Sequence, residues 1–277
     1  MGHSSAPKLR NDLIASHLFE CTKVAFSEHV LTITLNRPDK RHAINKVMAN
    51  ELVYCLDLAK NHTDIRVVLI RAEGPVFCAG ADLFDLHSST APIAMRLPCV
   101  GELNDIPLKM RQLCKPVVVS VQGMAMAGAL LMICNATQVI ASDQAQFSAP
   151  EIKRGLWPHM VMAGLFRVMP QRQALDFIMR AQVLNATAAR QAGLVTDVVA
   201  ADTLNATTLA LARELAQLAP TTLTLGLEAY YQQESMPFEQ AIPYLKTMLD
   251  KTLLTDDAKE GIQAFKEKRP PHWSDPL

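Results

Sequence analysis

The sequence lacks most of the features that announce a specialised chemistry. Only 5% of its 277 residues are aromatic and 19% charged, and 27 lysines and arginines balance 27 acids, so the formal net charge is zero. Without an excess of positive charge, the chain has no electrostatic footprint of a general nucleic-acid or anionic-membrane binder. A local basic patch for a phosphorylated ligand remains compatible with this. None of the six cysteines (Cys21, Cys55, Cys78, Cys99, Cys114, Cys134) pairs in the C-x-x-C spacing of a zinc or redox site, and the eight histidines show no metal-ligand spacing. Most of the cysteines sit in apolar runs, where a thiol packs as a small hydrophobe. All six are expected to be reduced, which indicates a reducing compartment, the cytoplasm. No Walker loop, G-x-G-x-x-G after a strand, G-x-S-x-G elbow or H-E-x-x-H is present. Met1 to Asp12 has no basic start and no apolar h-region, so it does not read as a secretory signal, and Met1 to Pro7 is expected to be untethered. The most apolar window, Val117 to Ile133, is broken by Ser120, Gln122 and two glycines; it predicts a strand, a turn and a helix rather than a membrane span.

What is present is hydrophobic material, 49% of the chain, enough for a sizeable core. Lys23 to Phe26 and Val30 to Leu35 predict a hairpin, ended by Asn36-Arg37-Pro38-Asp39. Met48, Leu52, Cys55, Leu56 and Ala59 recur at helical spacing over Lys46 to Asn61. Buried strands follow at Val67 to Arg71, Val117 to Val121 and Gln138 to Ala141, with a loop over Pro75 to Asp82 and a buried helix over Ala127 to Asn135. Strand, helix and strand in succession is the pattern of right-handed crossovers in an α/β unit. Leu86 to Leu108, with three prolines, predicts an irregular lid leading into a helix toward Leu113. From Pro158 onward the pattern is helical except for Val195 to Val199. Leu245, Met248, Leu249, Leu253 and Leu254 form an apolar stripe that suits either a core face or an oligomer face.

Two segments could carry chemistry: Phe77-Cys78-Ala79-Gly80-Ala81-Asp82 and Gln122-Gly123-Met124-Ala125-Met126-Ala127-Gly128-Ala129. Each follows a buried strand with a turn of tiny residues and the start of a helix. Small side chains let a ligand oxygen approach the backbone, and a helix start leaves N–H groups unpaired. Two such turns together could aim two donors at one carbonyl oxygen, forming an oxyanion hole. Taken singly, the glycines of either segment are equally explained by tight turns.

Seven segments, in order, resemble the enoyl-CoA hydratase/isomerase (crotonase) superfamily. They are Ile33-Thr34-Leu35-Asn36-Arg37-Pro38 with Ala43-Ile44-Asn45; Phe77 to Asp82; Lys115-Pro116-Val117 through Gly128; Ala145-Gln146-Phe147 through Pro150-Glu151-Ile152; Gly155-Leu156; Ala192-Gly193-Leu194-Val195; and Glu260-Gly261-Ile262-Gln263-Ala264-Phe265. The resemblance implies an α/β fold, a crotonase-like spiral of ββα units over 23–199, after an N-terminal extension over 1–22. A helical C-terminal trimerisation region over 200–277 should give a homotrimer or a dimer of trimers. It implies a CoA thioester substrate with no permanently bound cofactor and no metal. The oxyanion donors map to the N–H groups of Ala81 and Gly128. CoA and substrate contacts map to Ala43, Ala79, Gly80, Ala81, Asp82, Leu83, Phe84, Gly128, Leu131 and Phe265, with Lys266, Lys268 and Arg269 beside the last.

Hydratases of this family use two glutamates. One maps to Glu151; the other falls on Leu131, which cannot hold or deprotonate water. His42 stands where an asparagine is usual and reads as structural. His159 stands where a glycine often faces the catalytic water, and a buried imidazole there could act as a second acid/base. One carboxylate in the apolar company of Ile152, Leu156, Trp157 and Met160 suits proton shuttling, because desolvation raises its pKa toward neutrality. The resemblance therefore favours an isomerase converting 3-enoyl-CoA to 2-enoyl-CoA. A hydratase working with one glutamate and a non-catalytic CoA-binding scaffold are the alternatives. Decarboxylase or hydrolase chemistry on the same fold is also compatible.

Overall fold

The computed structural model describes residues 9–83, 85 and 95–274. The segment Met1 to Pro7, Phe84 and the first part of the lid, residues 86–94, lie outside the described residues. After two 3-10 turns, Asn11–Ile14 and Ser16–Leu18, come β1 (Thr22–Ser27) and β2 (Val30–Leu35), an antiparallel hairpin in which Ser27 faces Val30. Its two loop residues, Glu28 and His29, have φ of 50° and 63°, the left-handed conformation that matches a tight two-residue turn to the strand twist.

Beyond the hairpin the sheet grows in parallel through β3 (Val67–Ala72), β5 (Val117–Val121), β7 (Gln138–Ser142) and β10 (Asp197–Val199). The strand order is β1-β2-β3-β5-β7-β10. β5 is buried along its whole length, as expected of a parallel strand covered on both faces. One face packs into the main core with the helix Lys46–Asn61; the other meets Ala212 and Ala216 of the helix Leu204–Ala216, through Val30, Val67, Leu69 and Val118. The first of these helices is capped by Asn45, whose side chain accepts the Met48 N–H at 2.9 Å.

A second, smaller sheet was not foreseen. It contains β4 (Val76–Cys78), β6 (Met124–Met126), β8 (Gln146–Ser148) and β9 (Val183–Asn185), in that order, the first three parallel. Three-residue strands are too short for a period-two pattern to register, so Val76–Cys78 read as loop and Val183–Asn185 as part of a helical region. Each turn of the spiral thus gives one strand to each sheet. The buried helix expected over Ala127 to Asn135 is shorter: Ala127 has a φ of 52°, a 3-10 turn covers Ala127–Ala129, and the α-helix runs only over Leu130–Ile133.

The C-terminal part is helical over Pro220–Gln233, Phe238–Leu253 and Asp256–Glu267. Its apolar stripe divides. Met248 is buried, whereas Leu249, Leu253 and Leu254 are exposed, the last at 76%. No helix among the described residues is long and apolar enough to cross a membrane.

Candidate active site

The pairing of the small sheet converges three loops. Val76 faces Met124, Met124 faces Gln146, and Met126 faces Ser148. Because β4, β6 and β8 are parallel neighbours, their C-terminal ends open on one edge. From that edge leave Ala79-Gly80-Ala81, Ala127-Gly128 and Ala149-Pro150-Glu151. Ligand sites favour the carboxyl ends of parallel strands for this geometric reason. Tiny residues permit the closeness: a Cβ on Gly123 would lie 1.9 Å from the Pro75 carbonyl oxygen, and one on Gly128 would lie 3.0 Å from the Ala81 nitrogen.

The orientation of the Ala81 N–H follows from its neighbours. Ile44 N–H donates to Gly80 O at 2.8 Å, and Asp82 N–H donates to Ile44 O at 2.9 Å. In that parallel bridge the intervening residue, Ala81, turns its own N–H to the opposite side. Gly128 is the second residue of the turn Ala127–Ala129, where an N–H has no partner within the turn. Both residues border one cavity of about 400 Å³.

A scaffold behind the first loop holds it in place. Ala79 N–H donates to Arg41 O at 2.9 Å, and the Cys78 thiol donates to His42 O at 3.1 Å. The His42 ring is buried between Arg37 N–H, 3.0 Å from Nδ1, and Glu73 O, 2.8 Å from Nε2. Those partners assign the neutral tautomer with the proton on Nε2. Burial pushes the His42 pKa below the ordinary histidine value. The Arg37 guanidinium bonds Ala43 O at 2.6 Å and Asp82 at 3.3 Å.

Glu151 begins the 3-10 turn Glu151–Arg154 and borders the cavity. Its Oε2 is buried with no hydrogen-bond partner. Burial raises its pKa, opposed by its own backbone N–H and by the charge of Arg154. It is the sole carboxylate bordering the cavity among the described residues. Leu131, 2% exposed, borders the same space.

Of the other residues singled out in the sequence, Ala79, Leu83, Leu156, Trp157 and Met160 border the cavity. Ala43, Gly80, Asp82, Ile152 and Phe265 do not. Ala43, Gly80 and Asp82 instead belong to the backbone that presents Ala81, and Phe265 is 86% exposed on the C-terminal helix. His159 borders the cavity but is exposed rather than buried, because it begins the helix His159–Val168 at the cavity rim. Sequence reasoning missed Arg41 and Arg154; Met124 and Met126 lie in the second small-residue segment and Leu103 in the lid, but none of the three was singled out as bordering the site. The alternation of Met124 and Met126 about a buried Ala125 was a usable signal, hidden by the brevity of the strand.

The family model for enoyl-CoA hydratase/isomerase matches residues 25–276. A probable enoyl-CoA hydratase of Mycobacterium leprae is 31% identical over 250 residues, covering 89% of this chain and 95% of its own. A probable mitochondrial enoyl-CoA hydratase of Dictyostelium discoideum is 30% identical, covering 87% of this chain and 86% of its own. Among solved structures, human enoyl coenzyme A hydratase domain-containing protein 3 superposes with a TM-score of 0.84 at 26% identity, covering 92% of this chain and all (100%) of its own.

Proposed function

The chain belongs to the enoyl-CoA hydratase/isomerase family, and on that premise we propose that it is an enoyl-CoA isomerase with Glu151 as its proton shuttle. The observation that carries the proposal is that one carboxylate, Glu151, and an aliphatic side chain, Leu131, border the same cavity. Glu151 removes a C2 proton from a 3-enoyl thioester. The electron pair moves into the thioester carbonyl, whose oxygen takes the charge between the N–H groups of Ala81 and Gly128. The C3–C4 double bond then shifts, and the protonated Glu151 returns the proton to C4, giving the 2-enoyl thioester. No water is consumed and no oxidant or reductant is needed. An unpartnered carboxyl oxygen in a desolvated setting fits both halves of this cycle, since the group must leave as base and return as acid.

A second reading is favoured by the relatives, several of which bear the name hydratase. In it Glu151 is the one glutamate that directs water to a 2-enoyl thioester, helped by His159 at the rim. One experiment separates the readings. Isomerisation of 3-enoyl-CoA creates the conjugated enoyl absorbance, hydration of 2-enoyl-CoA removes it, and a scaffold that only binds CoA does neither.

The same premise suggests a trimer or dimer of trimers, with the exposed Leu249, Leu253, Leu254 and Phe265 covered by a neighbouring copy. Light scattering reads this directly, and a monomer at micromolar concentration would count against it. Six free cysteines agree with a reducing compartment such as the cytoplasm.

A further inference from the structure

Glu151 must be ionised before it can take a proton, yet burial works against ionisation: Oε2 is enclosed with no hydrogen-bond partner, and the pKa is raised. The chain supplies a counterweight on the same turn. In a 3-10 turn, side chains three residues apart eclipse one another. Glu151 and Arg154 are so spaced in the turn Glu151–Arg154, and both border the cavity, whereas Ile152 and Lys153 between them do not. Arg154 is exposed, so its guanidinium keeps its hydration, and it stays charged at every working pH. Among the described residues it forms no salt bridge that would tie up this charge. The other charged or titratable groups around the turn are Lys153 within it, Arg41 and His159 on the cavity border, and Arg172 and Asp176 on the helix Gln171–Met179 packed against it. Asp176 is engaged by Gln182 at 2.6 Å and by Arg180 at 3.4 Å. The charge that acts on Glu151 is that of Arg154.

We propose that Arg154 is a positioning residue for the proton shuttle, a fixed positive charge that keeps Glu151 ionised and ready to act as base at neutral pH. The proposal rests on the reading of Glu151 as the base. An opposite charge close by favours the ionised carboxylate, and one that stands in water does so more weakly because it is screened. The sign follows: without Arg154 the ionised form loses its partner, so base activity is lost at a higher pH than in the wild type.

The test follows kcat/KM for isomerisation of 3-enoyl-CoA against pH, whose acid limb reports the essential base of the free enzyme. Ionisation of the substrate's phosphate is common to every variant and cancels in the comparison. Arg154→Met should move the limb to higher pH, lowering kcat/KM on the limb by about threefold to tenfold relative to the wild type. Arg154→Glu should move it further, and Arg154→Lys should restore it. The shift should persist in a His159→Gln background; its disappearance there makes the imidazole the titrating group and overturns the proposal. A uniform loss at every pH, or a raised KM with the limb unmoved, assigns Arg154 to packing or to the thioester's phosphates and also overturns it. A carbon-13 NMR titration reads the same effect without turnover: the Glu151 carboxyl resonance, identified by its absence from Glu151→Gln, should titrate at higher pH in Arg154→Met. An unmoved resonance beside an inactive Glu151→Gln variant overturns the role of Arg154 alone. A fully active Glu151→Gln variant overturns the reading of Glu151 as base, and this proposal with it.

Discussion

Gly128→Ala tests the oxyanion hole at its narrowest point. The added Cβ would lie 3.0 Å from the Ala81 nitrogen and 3.5 Å from the Gly80 carbonyl carbon. The first contact is tighter than ordinary packing, so the two turns must part by a few tenths of an ångström. Overpacking of this kind costs roughly 1–3 kcal/mol of stability, which a folded protein of this size can carry. The catalytic effect should be larger, because the methyl group enters the space between the two proposed donors. Losing one such donor raises the barrier by about 2.7–4 kcal/mol, or about 10²- to 10³-fold in kcat. KM should change little, since the donors act on charge that develops in the transition state. Gly80→Ala provides the contrast: φ is +97° and the new Cβ would sit 2.7 Å from Ala127 Cβ, so that variant should fail mainly by destabilisation. The assay is initial rate of conjugated-enoyl formation from 3-enoyl-CoA, alongside a thermal melt. A folded Gly128→Ala protein with kcat within about threefold of wild type would falsify the assignment of the hole.

Glu151→Gln should keep CoA binding and lose about 10²- to 10⁴-fold in kcat. It should also stabilise the fold at neutral pH: a carboxyl whose native pKa is raised binds more protons folded than unfolded, so its ionisation costs stability as pH rises. Calorimetric melts should show that advantage at pH 7 and its disappearance below the unfolded-state pKa of about 4.3. For the lowered pKa of His42 the sign reverses. The native state binds fewer protons than the unfolded one, so wild type should lose stability as pH falls below the ordinary imidazole value of about 6.5, and His42→Gln should lose less, read from denaturant midpoints at pH 7 and pH 5. Leu131→Glu restores a second carboxylate beside the cavity; if its absence blocks hydration, the folded variant should gain measurable water addition to 2-enoyl-CoA. A wild-type protein that already hydrates as fast as it isomerises would remove the basis for that expectation.

The parts of the fold that could be read from the residues are those with long or strong patterns. The helix Lys46–Asn61 shows its apolar face over four turns, and the β-branched runs of β3 and β5 are bounded by turns. The small sheet was opaque for a physical reason: β4, β6 and β8 owe their pairing to long-range closeness, such as that allowed by Gly123 against Pro75, and not to local propensity. Yet this sheet is what carries Ala81, Gly128 and Glu151 to one edge. The residues bearing the chemistry were thus legible by type, from small-residue turns and one resemblance, while the device that assembles them was not.

The same distinction explains His42 and Met160. His42 looked like a departure from the family at a structural position, and its ring is a spacer between Arg37 N–H and Glu73 O, while its backbone carbonyl accepts from the Cys78 thiol. Removing the ring would take this partner from two part-buried backbone groups, Arg37 N–H and Glu73 O, on the segment that orients Ala81. Met160 looked like an apolar neighbour of a buried carboxylate, and it is a half-exposed side chain facing open space. Sequence pattern registers which side chains are apolar; only the fold tells whether another part of the chain or a ligand covers them. For the C-terminal helices the candidate cover is a second copy, and for the cavity wall it is an acyl chain. The two can be told apart because assembly depends on protein concentration, whereas binding at the wall depends on thioester concentration.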